Sequence, residues 1–203
     1  EIRALKDINA LNIRLARNIY GAADELLRYI CVDSEVQSTL LLGVPGAGKT
    51  TVLREIIRTL SNGEGLFRAY QVALADERSE LAGMYEGKSS LDVGARTDVM
   101  DSCPKAQAMR MLIRSMAPEV LAADELGTRE DIRAVEEALT AGIAVIATMH
   151  GKSMEDLYNR PGLENIMAKH LFRTIIILND NRCKGRAEQI YRWQNGTYEW
   201  VNC

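Results

Sequence analysis

The chain has 203 residues, 47% of them apolar, which is enough to bury the core of one ordinary α/β domain and too little for a second full one. A formal charge of −3, without a long basic or acidic block, excludes a nucleic-acid tail. The longest apolar runs, Ile143 to Met149 and Thr174 to Leu178, fall far short of the roughly 20 residues a membrane-spanning helix needs, so no direct membrane span is expected.

Cys31, Cys103, Cys183 and Cys203 lie far apart with no C-x-x-C pair, which argues against a structural zinc site and a disulfide framework and makes a reducing cytosol the expected compartment. The chain opens at Glu1 rather than at a methionine, with no signal-peptide pattern, and is expected to lack a native N-terminal part.

Residues 1–34 read as an entry segment: Ile2 to Ile30 alternates Ile and Leu with charged residues and ends in a helix-like run from Ala22. Residues 35–203 form the main domain. Ser38 to Leu42 is a short apolar strand ending at Gly43, and Val52, Leu53, Ile56, Ile57 and Leu60 then recur at helical spacing over Lys49 to Ser61. Further buried strands are predicted over Ala69 to Ala75, Pro118 to Ala123 and Gly142 to Thr148, with helices between several of them, which implies a parallel sheet.

Gly83 to Thr97, rich in Gly and Ser, is expected to be a loop that is mobile or ordered by a ligand or neighbour. A helix over Pro104 to Met116 turns Met109, Leu112, Ile113 and Met116 to the core. Thr128-Arg129-Glu130-Asp131 has the form of a helix N-terminus, and Gly142 supplies the left-handed stop. Met154 to Arg160 and Leu163 to His170 read as short helices and Arg173 to Asn179 as a strand. Arg186 to Val201, with Asn195-Gly196 at its turn, reads as a β-hairpin.

Gly43-Val44-Pro45-Gly46-Ala47-Gly48-Lys49-Thr50 is a G-x-x-x-x-G-K-T octet lying between a strand and an amphipathic helix, the context its chemistry requires. The glycines let successive N–H groups wrap the phosphates of ATP, and the following helix adds its positive end. Lys49 then reaches the β- and γ-phosphates, Thr50 coordinates Mg²⁺, and Thr51 is placed to contact the α-phosphate.

Pro118 to Glu125 is an apolar strand ending in two carboxylates. Asp124 is expected to hold the metal through water, and Glu125 to polarise the attacking water. A second pair, Asp76-Glu77, ends another strand and makes Glu77 a rival or helper base; a solvated surface turn is the competing reading. The fourth strand ends in Thr148-Met149-His150-Gly151, so Thr148 or His150 could sense the γ-phosphate, whereas His170 reads as structural. Among Arg96, Arg110, Arg114 and Arg129, Arg96 is the preferred arginine finger because it sits in the loop; Arg110 and Arg114 read as salt-bridge partners on a helix surface.

Asp76 to Gly83, Asp92 to Val99 and Cys103-Pro104-Lys105-Ala106 together resemble the stage III sporulation protein AA family of endospore-forming bacteria, over nearly the whole chain. That family is similar to the type II and type IV secretion ATPases. In the comparison Glu125 matches the catalytic glutamate, Asp76 and Glu77 an acidic box, and Thr148 to Gly151 a histidine box. The resemblance implies a RecA-like P-loop α/β core with a mainly parallel sheet flanked by helices and a C-terminal β-hairpin. It also implies a hexameric mother-cell ATPase at the cytoplasmic face of the membrane facing the forespore, where it energises a channel or secretion complex. The four-cysteine zinc module of type II secretion ATPases and their N-terminal domain are not recognisable in this sequence.

Two other function classes compete. A nucleic-acid-dependent RecA-like ATPase would need a basic stripe and stacking aromatics, but the chain is net negative with 5% aromatics. A small-molecule kinase would use the loop Gly83 to Thr97 as a lid.

Overall fold

A computed structural model describes residues 9–10, 16–65, 68–179 and 184–201. Residues 1–8 and 11–15 of the entry segment, and Cys183 and Cys203, lie outside the described residues. In chain order the elements begin with α1 (Asp24–Ile30), the small hairpin β1 (Cys31–Val32) and β2 (Glu35–Val36), β3 (Thr39–Gly43), α2 (Lys49–Asn62) and β4 (Val72–Asp76). A second small hairpin, β5 (Met84–Tyr85) and β6 (Lys88–Ser89), precedes β7 (Thr97–Asp101), α3 (Lys105–Met116), β8 (Val120–Ala123), α4 (Arg129–Thr140) and β9 (Ala144–His150). The chain closes with α5 (Met154–Tyr158), α6 (Glu164–Ala168), β10 (Thr174–Leu178), β11 (Ala187–Gln194) and β12 (Thr197–Val201).

Eight strands form one sheet in the order β12-β11-β10-β3-β9-β8-β4-β7. The six from β10 to β7 run parallel, and β11 and β12 add an antiparallel hairpin. The chain is therefore a helix-flanked α/β protein with a mainly parallel sheet. Asn195 and Gly196 both have positive φ, 50° and 85°, as a tight hairpin turn requires.

Strands covered on both faces read as continuous apolar runs, and alternate residues serve opposite layers. Leu41, Leu74, Ala122, Ile146 and Ile176 pack against Val52, Leu53, Ile56, Ile57 and Leu60 of α2 and Leu26 and Ile30 of α1. Leu40, Leu42, Ala73, Leu121, Val145 and Ile175 point the other way, onto Met109 and Leu112 of α3, Ile132 and Val135 of α4, Leu157 and Phe172. Each such large side chain contributes about 1.5–3 kcal/mol when fully buried, so the two layers clamp the sheet from both sides and leave its strand ends to carry chemistry.

Three expectations are corrected and one unanticipated strand is found. Met116 is 44% exposed, because α3 ends there and Ala117 turns left-handed at φ 45°. Pro104 caps α3 from outside rather than lying in its first turn. Thr97–Asp101 is an edge strand pairing with β4, although its sequence shows no apolar run. The Gly83 to Thr97 stretch is ordered by its own chain: Ser89 Oγ donates to the Ala82 carbonyl, and the amides of Asp92, Ala95 and Arg96 donate to Asn18, Asn62 and Ser61.

The described part of the entry segment lies along the outer face of α2. The Gly21 amide donates to Glu55 at 2.7 Å, Arg54 donates to the Arg17 carbonyl at 3.1 Å, and the Arg58 guanidinium lies over the Tyr20 ring. The α1 residues Ala23, Leu26, Leu27 and Ile30 belong to the same core as α2.

Candidate functional site

Parallel strands deliver their C-terminal ends to one edge, where ligands of open α/β sheets gather. Gly43 of β3 is in register with His150 of β9, and Ala123 of β8 with Ala147 of β9 and Ala75 of β4. Asp124, Glu125 and Asp76 therefore emerge beside the loop that joins β3 to α2.

That loop turns on glycines: Gly46 and Gly48 have φ of 81° and 94°, and Gly48 caps α2 from the left-handed region that an L side chain rarely enters. It is also held from outside. The Gly185 amide donates to the Ala47 carbonyl at 2.8 Å, and a Cβ at position 48 would lie 2.9 Å from the Gly185 nitrogen.

Lys49 is 7% exposed and folds inward, donating to the carbonyls of Gly43 at 2.8 Å and Val44 at 3.0 Å. Burial lowers its pKa below the usual amine value, and the carboxylates of Asp124 and Glu125 oppose that shift. Its ammonium also meets His150 Nδ1 at 3.2 Å, and His150 Nε2 lies 2.7 Å from Glu125 Oε1. An ammonium can only donate, so Nδ1 accepts, and the ring proton on Nε2 is donated to Glu125. Lysine, histidine and glutamate thus form one chain of hydrogen bonds.

A second chain runs from Thr50. Its hydroxyl donates to Asp124 Oδ2 at 2.9 Å, the Thr148 hydroxyl donates to Asp124 Oδ1, and the Glu125 amide donates to Thr148 Oγ1 at 2.7 Å. Glu125 is left-handed at φ 48°. For a side chain of this size that conformation costs on the order of 1–3 kcal/mol and persists only where the surroundings fix it. Here they do: Lys105 Nζ donates to the Glu125 carbonyl at 2.7 Å. Arg78 approaches Glu125 Oε2 at 3.9 Å.

Of these side chains, Arg78, Lys105, Asp124, Glu125 and His150 line a cleft of about 350 Å³ together with Asp76, Glu77, Glu80, Asp131 and Arg160. Glu77 is half exposed and lies 4.0 Å from Lys105. Asp76 is 2% exposed and committed: its carboxylate accepts from the amides of Glu80, Leu81 and Ala82 at 3.0, 3.0 and 2.8 Å. It organises the loop after β4, which Arg54 grips from the other side through the Glu80 and Leu81 carbonyls. Thr51 lies in the first turn of α2. Arg96 is not brought to this cleft, because it precedes β7 at the opposite edge of the sheet, where Thr97 pairs with Val72 at the start of β4. Arg110 pairs with Glu137, and His170 stacks on Trp193.

Lys105 and the bridging role of the Thr148 hydroxyl were not legible beforehand. A lysine after Pro104 reads as an exposed helix start, and only the pairing of β8 with β9 puts the threonine against the two acids.

A family model described as "Sporulation stage III, protein AA" matches residues 1–197. The chain belongs to the sporulation stage III protein AA family. Stage III sporulation protein AA of Bacillus subtilis (strain 168) is 42% identical over 190 residues, which are 94% of this chain and 62% of that protein. The chain thus spans less than two thirds of that relative's length. Among solved structures, this member of the protein AA family is similar to the Legionella pneumophila ATPase DotB, with a TM-score of 0.58 and 18% identity over 80% of this chain and 46% of that one. It is likewise similar to the VirB11 ATPase of the Brucella suis type IV secretion system, solved in complex with sulphate, with a TM-score of 0.54 and 15% identity over 77% and 48%. At such identities the likeness shows the fold: the family shares the α/β architecture of secretion ATPases. Among the described residues no helix is long and apolar enough to cross a membrane.

Proposed function

We propose that this chain is the nucleotide-hydrolysing core of a motor subunit that energises a secretion or channel complex between mother cell and forespore. The observation that carries the reading is the pair of hydrogen-bond chains meeting at the acidic end of β8: Lys49 to His150 to Glu125, and Thr50 to Asp124 to Thr148. DotB and VirB11, whose fold it shares, are ATPases.

In this reading the amides of residues 43 to 51 wrap the phosphates of ATP, and Lys49, turned inward onto two carbonyls, exchanges them for phosphate oxygens. A hydroxyl and a carboxylate oxygen 2.9 Å apart suit a hard cation, so Thr50 and, through water, Asp124 would hold Mg²⁺. Mg²⁺ supplies charge neutralisation on the phosphate oxygens. Glu125 orients the attacking water and accepts its proton, and His150 couples that carboxylate to Lys49. Asp76 serves through the loop it fixes. The subunit assembles as a ring, a hexamer by the family resemblance, at the cytoplasmic face of the membrane facing the forespore. An Arg96 finger would have to act across a subunit boundary.

Phosphate release from ATP and Mg²⁺, measured over a wide protein-concentration range, tests the proposal. Turnover that rises faster than linearly, disappears in Lys49→Ala and Glu125→Gln, and ignores single-stranded DNA is the expected result. Stimulation by DNA would favour a nucleic-acid-dependent ATPase. Full activity in Glu125→Gln would refute the assignment of the base.

A further inference from the structure

Lys105 is anomalous at its position. It opens α3, whose first turn contains no acidic residue, and a cation there faces the positive end of the helix dipole. It is also buried, at 8% exposure, although lysine is rarely buried without a partner. Neither the helix nor the core accounts for it. Its ammonium instead reaches the Glu125 carbonyl at 2.7 Å, with the Glu77 carboxylate 4.0 Å away.

Glu125 is where such a contact has most effect. Its left-handed backbone is fixed on the amide side by Thr148 Oγ1 and on the carbonyl side by Lys105 Nζ, so its carboxylate is delivered to His150. Freeing the carbonyl would let the peptide relax to an ordinary conformation and swing the carboxylate away from the phosphate loop.

We propose that Lys105 is a positioning residue for Glu125: its ammonium, with Glu77 as counter-charge, pins the Glu125 peptide in the left-handed conformation that aims the catalytic carboxylate. The inference rests on the reading of Glu125 as the base, and it gives Glu77 a supporting part rather than a rival one. The hydrogen bond and ion pair of Lys105 go to Glu125 and Glu77 and not to the phosphate loop, so its loss should act on turnover and not on nucleotide affinity.

The test compares Lys105→Met, Lys105→Arg, Glu77→Gln and Glu125→Gln in the full chain, by steady-state phosphate release, titration with a fluorescent ATP analogue and a crystal structure of Lys105→Met. The expected result is a kcat lowered about 10- to 100-fold in Lys105→Met, as for displacement of a catalytic group by about 1 Å. KM and Kd should stay within about twofold of wild type, Lys105→Arg should recover most of the turnover, Glu77→Gln should show a smaller loss of kcat, and Glu125 should leave the left-handed region in the crystal. Full turnover in Lys105→Met beside an inactive Glu125→Gln would overturn the inference while sparing the base. Should Glu125→Gln stay active, or every form be inactive, the crystal structure decides: Glu125 still left-handed and on His150 without Lys105 overturns the proposal. If Lys105→Met does not fold, Lys105→Gln takes its place under the same criteria.

Discussion

Replacing Asp76 by asparagine should unfold the protein at distinctly lower denaturant while leaving the proposed ATP turnover by the folded fraction nearly intact. The carboxylate accepts three backbone amides, one on Oδ1 and two on Oδ2, from a site 2% exposed. Hydrogen bonds to a charged acceptor contribute about 1.5–3 kcal/mol each and neutral ones about 0.5–1.5 kcal/mol. Asparagine keeps one oxygen, which can serve Leu81 and Ala82, but its NH₂ then faces the Glu80 amide. One bond is lost and two are weakened, so the expected loss is roughly 3.5–6 kcal/mol. Equilibrium urea unfolding followed by the fluorescence of Trp193 and Trp200 measures it, with the slope m unchanged. A variant with the wild-type midpoint and abolished turnover would refute the reasoning and make Asp76 a group of the reaction itself.

Two further substitutions read other parts of the fold. Thr128 accepts from the Asp131 amide while Asp131 accepts from the Thr128 amide, so Thr128→Ala should cost about 1 kcal/mol in the same unfolding assay; no change would mean that packing alone fixes α4. Burial raises the Cys31 thiol from 9.0 to about 11, so the folded chain keeps a proton that the unfolded chain releases between those values. Its contribution is complete below pH 9 and fades as pH rises toward 11, by roughly 2–3 kcal/mol. Urea midpoints at pH 8 and 10.5 should therefore fall further in wild type than in Cys31→Ala, and parallel curves would exclude the thiol as the cause.

The glycine loop between β3 and α2 was readable because its residues are contiguous and its glycines serve local geometry. The acids at the ends of β4 and β8 were readable as candidates because apolar runs announce strands and parallel strands share an edge. How each acid is held was not readable. Asp76 and Asp124 both end strands, yet one is spent on three amides and the other faces Thr50 and Thr148, a difference set by loops folding back. Thr97–Asp101 escaped notice because an edge strand of intermediate burial carries no apolar stripe. Arg96 looked like part of a flexible loop over the site, but the parallel pairing of β7 with β4 carries it to the far edge.

The close approach of Gly48 and Gly185 ties two distant stretches of sequence to one fate. A Cβ at 48 would meet the Gly185 backbone at 2.9 Å, and one at 185 would meet Val52 at 3.2 Å, with φ above 80° at both glycines. Trimming a neighbouring side chain cannot undo a collision between main chains, so a single change at position 48 has no simple compensating partner. The length of the β10 to β11 connection is constrained as well, since an inserted or deleted residue would slide Gly185 off the Ala47 carbonyl. In divergent copies of this domain, the β10 to β11 connection and the glycine loop before α2 should therefore drift together or not at all.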